Sequence, residues 1–357
     1  MEENETHVIF ETLTGSRLYG TDRPGSDYDY RGVALPPFKT FFGQGKFEQL
    51  EDKKSDRVIY NLVKFTQLAL NANPNIIELL FVPEKYWKTA SPIWRHILKF
   101  RELFVSTKCR FTFLGYAYSQ LNRIKTHQKW LQNPPEKPDR REMGLSLESK
   151  IQEDAIKALK TIPASVLGDN FTVAIQKAME VSLNAEQQAS GIQALQTIPA
   201  EILRDSLRNV IQKEIEYYDK KKAWDSYRDW KENRNPARFK LEEQFGYDTK
   251  HAMHLVRLLR MGKEIIKTGQ VIVDRREVDA DELREILKGA MTYEELIAYA
   301  AKMEKEIVEY YDKSPLPRKP KIEKVDRLLL EIFSEFYSID LELAETAVRR
   351  ANEELGR

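Results

Sequence analysis

Cysteine is almost missing from this chain of 357 residues. Cys109 stands alone, so no disulfide can close within the chain, and a reducing, cytosolic setting is expected. A dominant charge is missing as well. There are 57 Lys and Arg against 56 Asp and Glu, a formal net charge of +1, so no chain-wide basic field draws in nucleic acid. Any such contact has to come from a local patch. No apolar run approaches the roughly 18 residues that a membrane helix needs, so no membrane partner is expected. The acidic start, M-E-E-N-E-T-H, lacks the basic and apolar regions of a secretory signal. Apolar residues are not scarce: at 41% they allow a real core, and the length allows two or three domains.

The first ninety or so residues differ from the rest. Short β-branched and aromatic runs, His7 to Phe10, Tyr28 to Leu35, Arg57 to Tyr60 and Ile76 to Val82, read as strands punctuated by Gly15, Gly20, Pro24-Gly25, Pro36-Pro37 and Pro74. Between the last two, Leu62, Val63, Phe65, Leu68, Ala69 and Leu70 recur at helical spacing. From about residue 92 the pattern is helical, with amphipathic stretches at Trp94 to Phe104, Phe111 to Trp130 and Thr249 to Lys267. Proline-rich loops at 133–139 and 314–321 interrupt it. The middle carries a repeat. A-L-K-T-I-P-A-S-V-L at 158–167 returns as A-L-Q-T-I-P-A-E-I-L at 194–203, and I-Q-K at 175–177 returns at 211–213, both at an offset of 36 residues. Pro163 and Pro199 would stand near helix starts. Two copies are too few for a free solenoid, so the unit is expected to pack on its neighbours or on a second chain.

The residues that carry chemistry lie early, in T-G-S-R-L-Y-G-T-D-R-P-G-S-D-Y-D-Y-R-G at 14–32. If Asp27 to Arg31 is extended, Asp27 and Asp29 point to one face, because strand side chains alternate. Two carboxylates so placed can share divalent cations, and magnesium takes oxygen ligands from carboxylates, water and substrate phosphates. Gly15 lets backbone approach a phosphate, while the Ser16 hydroxyl and nearby N–H groups can hold one. Arg17 and Arg31 could add charge-assisted contacts, with Tyr19 in the same turn.

That stretch resembles the signature of the DNA polymerase β-type nucleotidyltransferase superfamily, a Gly-Ser turn followed by an Asp-x-Asp strand. Within it, the chain is similar to the RNA-ligase-associated, RNA-repair-pathway group of bacteria and phages. The runs at 60–81, 113–121 and 246–258 extend the likeness over most of 7–131 and 235–340, leaving about 144–232 as an insertion. The resemblance implies an α+β fold, a small mixed sheet with flanking helices followed by a larger helical region. It also implies a reaction in which a nucleoside monophosphate moves from an NTP to a hydroxyl. It puts Gly15 and Ser16 on the phosphates and Asp27 and Asp29 on Mg2+ or Mn2+. A third acid should come from a later strand, as a metal ligand and base. Asp56, which precedes R-V-I-Y, is favoured, with Glu78 the runner-up. The expected domains are a catalytic domain at 1–105, a helical connection at 106–143, the insertion at 144–232, through which a homo-oligomer could form, and a helical domain at 233–357 covering the cleft.

Tyr247, Asp248, Lys250, His251, His254 and Arg257 crowd one predicted helix, with His251, His254 and Arg257 at a spacing of three. The likeness turns Lys250, His251, His254 and Arg257 toward triphosphate or acceptor. A zinc site on the two histidines lacks a cysteine or further histidine nearby in sequence. Trp224, Tyr227 and Trp230 within K-K-K-A-W-D-S-Y-R-D-W-K (220–231) form a helical stripe that reads first as packing and otherwise as a grip on a nucleic-acid strand. Arg110, Arg123, Lys125, His127 and Lys129 make another basic cluster, which usually means a solvated face. The acceptor is expected to be an RNA end. A protein hydroxyl or small molecule is the alternative, and a nucleotide-binding scaffold without turnover is the reading from another class.

Overall fold

The computed structural model describes residues 6–41, 47–52, 54–148 and 200–354. Its sheet is mixed and five-stranded, in the order β3-β4-β2-β1-β5, with β1 (His7–Thr14), β2 (Asp29–Leu35), β3 (Gln49–Asp52), β4 (Arg57–Asn61) and β5 (Trp87–Ala90). Ile9, Phe10, Glu11 and Thr12 are all buried, which marks β1 as a strand covered on both faces. β1 runs antiparallel to β2 and β5, whereas β2 and β4 are parallel. This is the α+β arrangement that the resemblance implies.

Local signals start the helices around the sheet. The Asn61 side chain accepts from the Val63 N–H at 2.8 Å and opens α2 (Leu62–Leu70), which buries Leu62, Phe65 and Ala69. Residues Ile76 to Val82, read from sequence as a strand, instead start within the helix α3 (Pro74–Leu79). Asn73 caps that helix and Pro74 occupies its first turn, where the missing N–H costs nothing. Ser91 and Pro92 repeat the device at α4 (Pro92–Leu98). On α4, Trp94 stacks on Phe10 of β1 at 4.1 Å and meets Phe65 of α2 edge-on at 5.5 Å, so one fully buried indole ties strand and both helices together.

The chain divides into two compact units, one of Met1–Gln128 with Pro236–Arg357 and one of Lys129–Asn235. In the first, α5 (Cys109–Gln132) begins beyond the sheet, and the return is made by α7 (Pro236–Phe245), α8 (Thr249–Thr268), α9 (Ala280–Leu287), α10 (Tyr293–Tyr311), α11 (Ile322–Tyr337) and α12 (Leu341–Glu354). Burial is heaviest on α8, which hides Ala252, Met253, Leu255, Val256, Leu259, Ile265 and Ile266. In the second unit the long helix is α6 (Ala200–Glu232). There Trp130, Tyr227 and Trp230 lie ring to ring at 5.3–5.9 Å, as the packing reading of that stripe expects. The first copy of the repeat, and the second up to Pro199, lie outside the described residues. No described helix is long and apolar enough to cross a membrane.

Candidate active site

Strand register explains how the site is assembled. β1 ends at Thr14 opposite Asp29, the first residue of β2, so Gly15 turns directly beside the Asp29 side chain. The contact is close: a Cβ on Gly15 would fall 2.0 Å from Asp29 Oδ2, and Gly15 holds φ +67°, a conformation that L side chains rarely adopt. On the other side of β2, Tyr30 pairs with Arg57 of the parallel strand β4. One step back, this register sets Asp29 beside Asp56, and the Tyr30 N–H donates to the Asp56 carbonyl at 3.0 Å. Two acids separated in sequence by a crossover thus enter neighbouring strands side by side.

Their carboxyl groups are in hydrogen-bonding contact. Burial, together with the hydrogen bond and negative charge of Asp56, pushes Asp29 up to about 6. The same hydrogen bond, above all, holds Asp56 below its ordinary value. Arg31 braces the pair, donating through Nη1 to the Asp56 carbonyl at 2.7 Å and through Nη2 to Oδ1 at 3.2 Å.

Of these, Asp29 and Arg31 open onto a cleft of about 550 Å³, while Asp56 stands beside them outside its lining. Thr14, Gly15, Tyr19, Asp29 and Arg31 line it from the N-terminal segment, and Lys250, His251, His254 and Arg257 line it from α8, with Arg123 and Arg238 adding charge. Of the residues singled out on the predicted helix, all four that were turned toward the triphosphate therefore face the same space as Asp29. Burial and the Arg238 charge lower the Lys250 amine. Burial, above all, holds His251 down to about 4 and His254 well below its usual value, so both rings are neutral near pH 7.

Other expected residues sit elsewhere. Asp27 is exposed ahead of β2, which starts at Asp29, so the extended stretch is shorter than the spacing suggests. Its carbonyl accepts from Arg17 Nε at 3.2 Å, and its side chain is not among the cleft-lining groups. Arg17 is spent on the same loop, donating to the Ser26 carbonyl at 2.7 Å and stacking on Tyr28 at 3.8 Å. Ser16 is half-buried beside the cleft rather than in its lining. Glu78, on α3, does line the cleft, but its carboxylate is engaged in a buried network. It accepts from the Tyr19 hydroxyl at 2.6 Å and from Arg257 Nη1 at 2.5 Å, while the Arg257 guanidinium lies over the Tyr19 ring at 3.8 Å.

Sequence reasoning did not find what holds the Gly15 turn from behind. The loop between α8 and α9, together with Arg284 of α9, reaches α1 (Gly15–Tyr19) and takes up carbonyls at its end. Arg276 Nη2 donates to the Arg17 carbonyl at 2.7 Å, the Arg275 N–H to that of Tyr19 at 3.3 Å, and Arg284 Nη1 to that of Gly20 at 2.9 Å. Arg275 is itself fixed by Glu264 and Asp279. The run D-R-R at 274–276 was the available signal, but nothing local says what it touches.

Among the described residues, the group of three metal-ligating side chains with ligand atoms within 4.8 Å of one another is His127, Asp248 and His251; the Asp29–Asp56 pair has no third such ligand as near.

Residues 1–134 match the model of the RNA repair pathway DNA polymerase beta family, RlaP, which bears out over that segment the resemblance read from the Gly-Ser and Asp-x-Asp motifs. An uncharacterized 38.9 kDa protein from the nrdC-mobD intergenic region of Enterobacteria phage T4 is 27% identical over 129 residues, covering 32% of this chain. The match spans 38% of that protein's own length. No solved structure matches the chain.

Proposed function

We propose that the protein is a divalent-metal-dependent nucleotidyltransferase that moves a nucleoside monophosphate from an NTP to a hydroxyl at an RNA end. The observation that carries this reading is Asp29, pressed against the Gly15 turn in a cleft with a cationic wall and hydrogen-bonded to the neighbouring Asp56. The donor set fits a hard cation. Two carboxyls forced to share a proton are relieved when a divalent ion takes the proton's place, and oxygen ligands are what magnesium or manganese prefers. Asp29 and Asp56 would hold it, and Asp27, exposed two residues before Asp29, would add its carboxylate by rotating inward. Such an ion would supply charge neutralisation at the reacting phosphate.

The protein's own groups do the remainder. Gly15 and Ser16 hold the phosphates at the turn, and Arg31 and Lys250 offset their charge. The Asp29–Asp56 pair takes the proton of the acceptor hydroxyl as its oxygen bonds to the α-phosphorus and the bond to pyrophosphate breaks. Arg257 keeps Tyr19 and Glu78 in place beneath the nucleotide. RNA is favoured as acceptor by the description of the matched family.

Incubation with labelled NTPs, magnesium and RNAs carrying defined ends tests the reading. Label is expected on RNA, with pyrophosphate released, and both are expected to vanish in Asp29→Ala and Asp56→Ala. Transfer that persists in those variants, or its complete absence from wild type, refutes it.

A further inference from the structure

His251, one of two cleft-lining histidines of α8, belongs to a second polar cluster to which the proposed transfer assigns no role. Asp248 stands at the start of α8 and spends Oδ1 on capping it, accepting from the N–H groups of Lys250 at 2.9 Å and His251 at 3.0 Å. Its other oxygen, Oδ2, faces His251 Nε2 at 3.6 Å. The opposite nitrogen of that ring, Nδ1, is 2.7 Å from Gln120 Oε1 on α5. A carbonyl oxygen only accepts, so Nδ1 carries the hydrogen of the neutral ring and Nε2 presents a lone pair to a carboxylate. Two electron-rich atoms face each other across the distance at which both could bind one cation. His127, from α5, brings the third ligand atom within 4.8 Å of the other two, and its own Nδ1 lies 3.4 Å from Glu242 Oε1 of α7.

This is the pattern that imidazole metal ligands show. One ring nitrogen binds the ion while the other is oriented by a carbonyl or carboxylate behind it, here Gln120 for His251. A tetrahedral zinc with bonds of about 2.0 Å sets its ligand atoms about 3.3 Å apart. The 3.6 Å between His251 Nε2 and Asp248 Oδ2 is already close to that. Imidazole donors select zinc and its transition-metal neighbours, whereas magnesium keeps to oxygen. Asp248 and His251 are buried and held from two sides, so little ordering remains to be done on binding. Arg238 Nη1, 3.6 Å from Asp248 Oδ2, is the cation that competes for the same oxygen.

We infer that His127, Asp248 and His251 form a second metal site, for a zinc-class divalent ion, reaching the cleft through His251 and separate from the Asp29–Asp56 pair. Three protein ligands leave a fourth position open, as in sites where zinc meets water or substrate rather than serving structure alone. The inference stands without the nucleotidyltransferase reading.

The test is titration of the full chain, stripped with chelator, with Zn2+ by calorimetry and with Co2+ by visible absorption. One zinc equivalent is expected at sub-micromolar Kd, with a Co2+ spectrum of low-coordinate form. Gln120→Leu should weaken binding about 10-fold, and His251→Gln or Asp248→Asn by about 100-fold or more. Asn can still cap α8, so Asp248→Asn keeps the fold, which melting in chelator verifies. Arg238→Met should tighten binding, and Asp29→Asn should leave it unchanged. No binding in wild type, equal binding in His251→Gln, or binding lost only in Asp29→Asn overturns the inference.

Discussion

At the scale of single residues, the protein's chemistry is set by where acids are forced together and where they are paired. Asp29 titrates near 6 because it is buried and because Asp56 is beside it. The sign of the consequence is fixed: a carboxyl raised in the folded state favours the protonated form, so above about pH 6 its charge costs stability, and that cost fades as pH falls toward 4. In chelator, Asp29→Asn should therefore melt higher than wild type at pH 7.5, with the difference shrinking to nothing near pH 4, as scanning fluorimetry across that range would show. Protons and metal compete for the same oxygens, so apparent magnesium affinity should fall as pH drops through 6. Glu78 is the contrary case. Arg257→Met would strand its buried carboxylate and should cost about 3–5 kcal/mol in urea denaturation, most of it recovered in the double variant with Glu78→Gln.

Elements act by delivering those residues. The parallel register of β2 and β4 and the antiparallel register of β1 and β2 bring Gly15, Asp29 and Asp56 to one end of the sheet. Gly15→Ala would drive a methyl group into Asp29 Oδ2 and oblige a strained backbone. Displacing the carboxylate by an ångström is expected to cut kcat/KM for transfer about 100-fold while thermal melting moves little by comparison. α8 is started by Asp248, whose Oδ1 takes two of its free N–H groups. Asp248→Ala should cost about 1 kcal/mol by chemical denaturation, and Asp248→Asn much less, since both Asp and Asn cap well.

For the whole molecule, the informative fact is that every residue lining the cleft lies within Met1–Gln128 or Pro236–Arg357. Among the described residues, none comes from Lys129–Asn235, the unit that contains α6 and the second I-Q-K of the repeat. Replacing 129–235 by a flexible linker is therefore expected to leave triphosphate affinity within about twofold of wild type in a filter-binding or calorimetric assay. If RNA capture depends on the replaced unit, transfer to RNA should fall while triphosphate affinity does not.

How much of this was legible in advance follows from the range of the forces involved. Strands His7 to Phe10 and Arg57 to Tyr60, the helix after Asn61 and the amphipathic α8 were readable because alternation, capping and periodicity act over a few residues. Ile76 to Val82 misled, since a β-branched run says strand unless the Asn73-Pro74 start is given more weight. The sequence by itself determined the Gly-Ser and Asp-x-Asp motifs, and with them the family resemblance of residues 1–134. Only the tertiary structure decided which acid stands beside Asp29, because Asp56 arrives through a parallel register that no local spacing encodes. It likewise brought His127 to His251 and committed Glu78 to Arg257, since helices remote in sequence meet by burying apolar faces, and their polar partners are whatever those faces carry along.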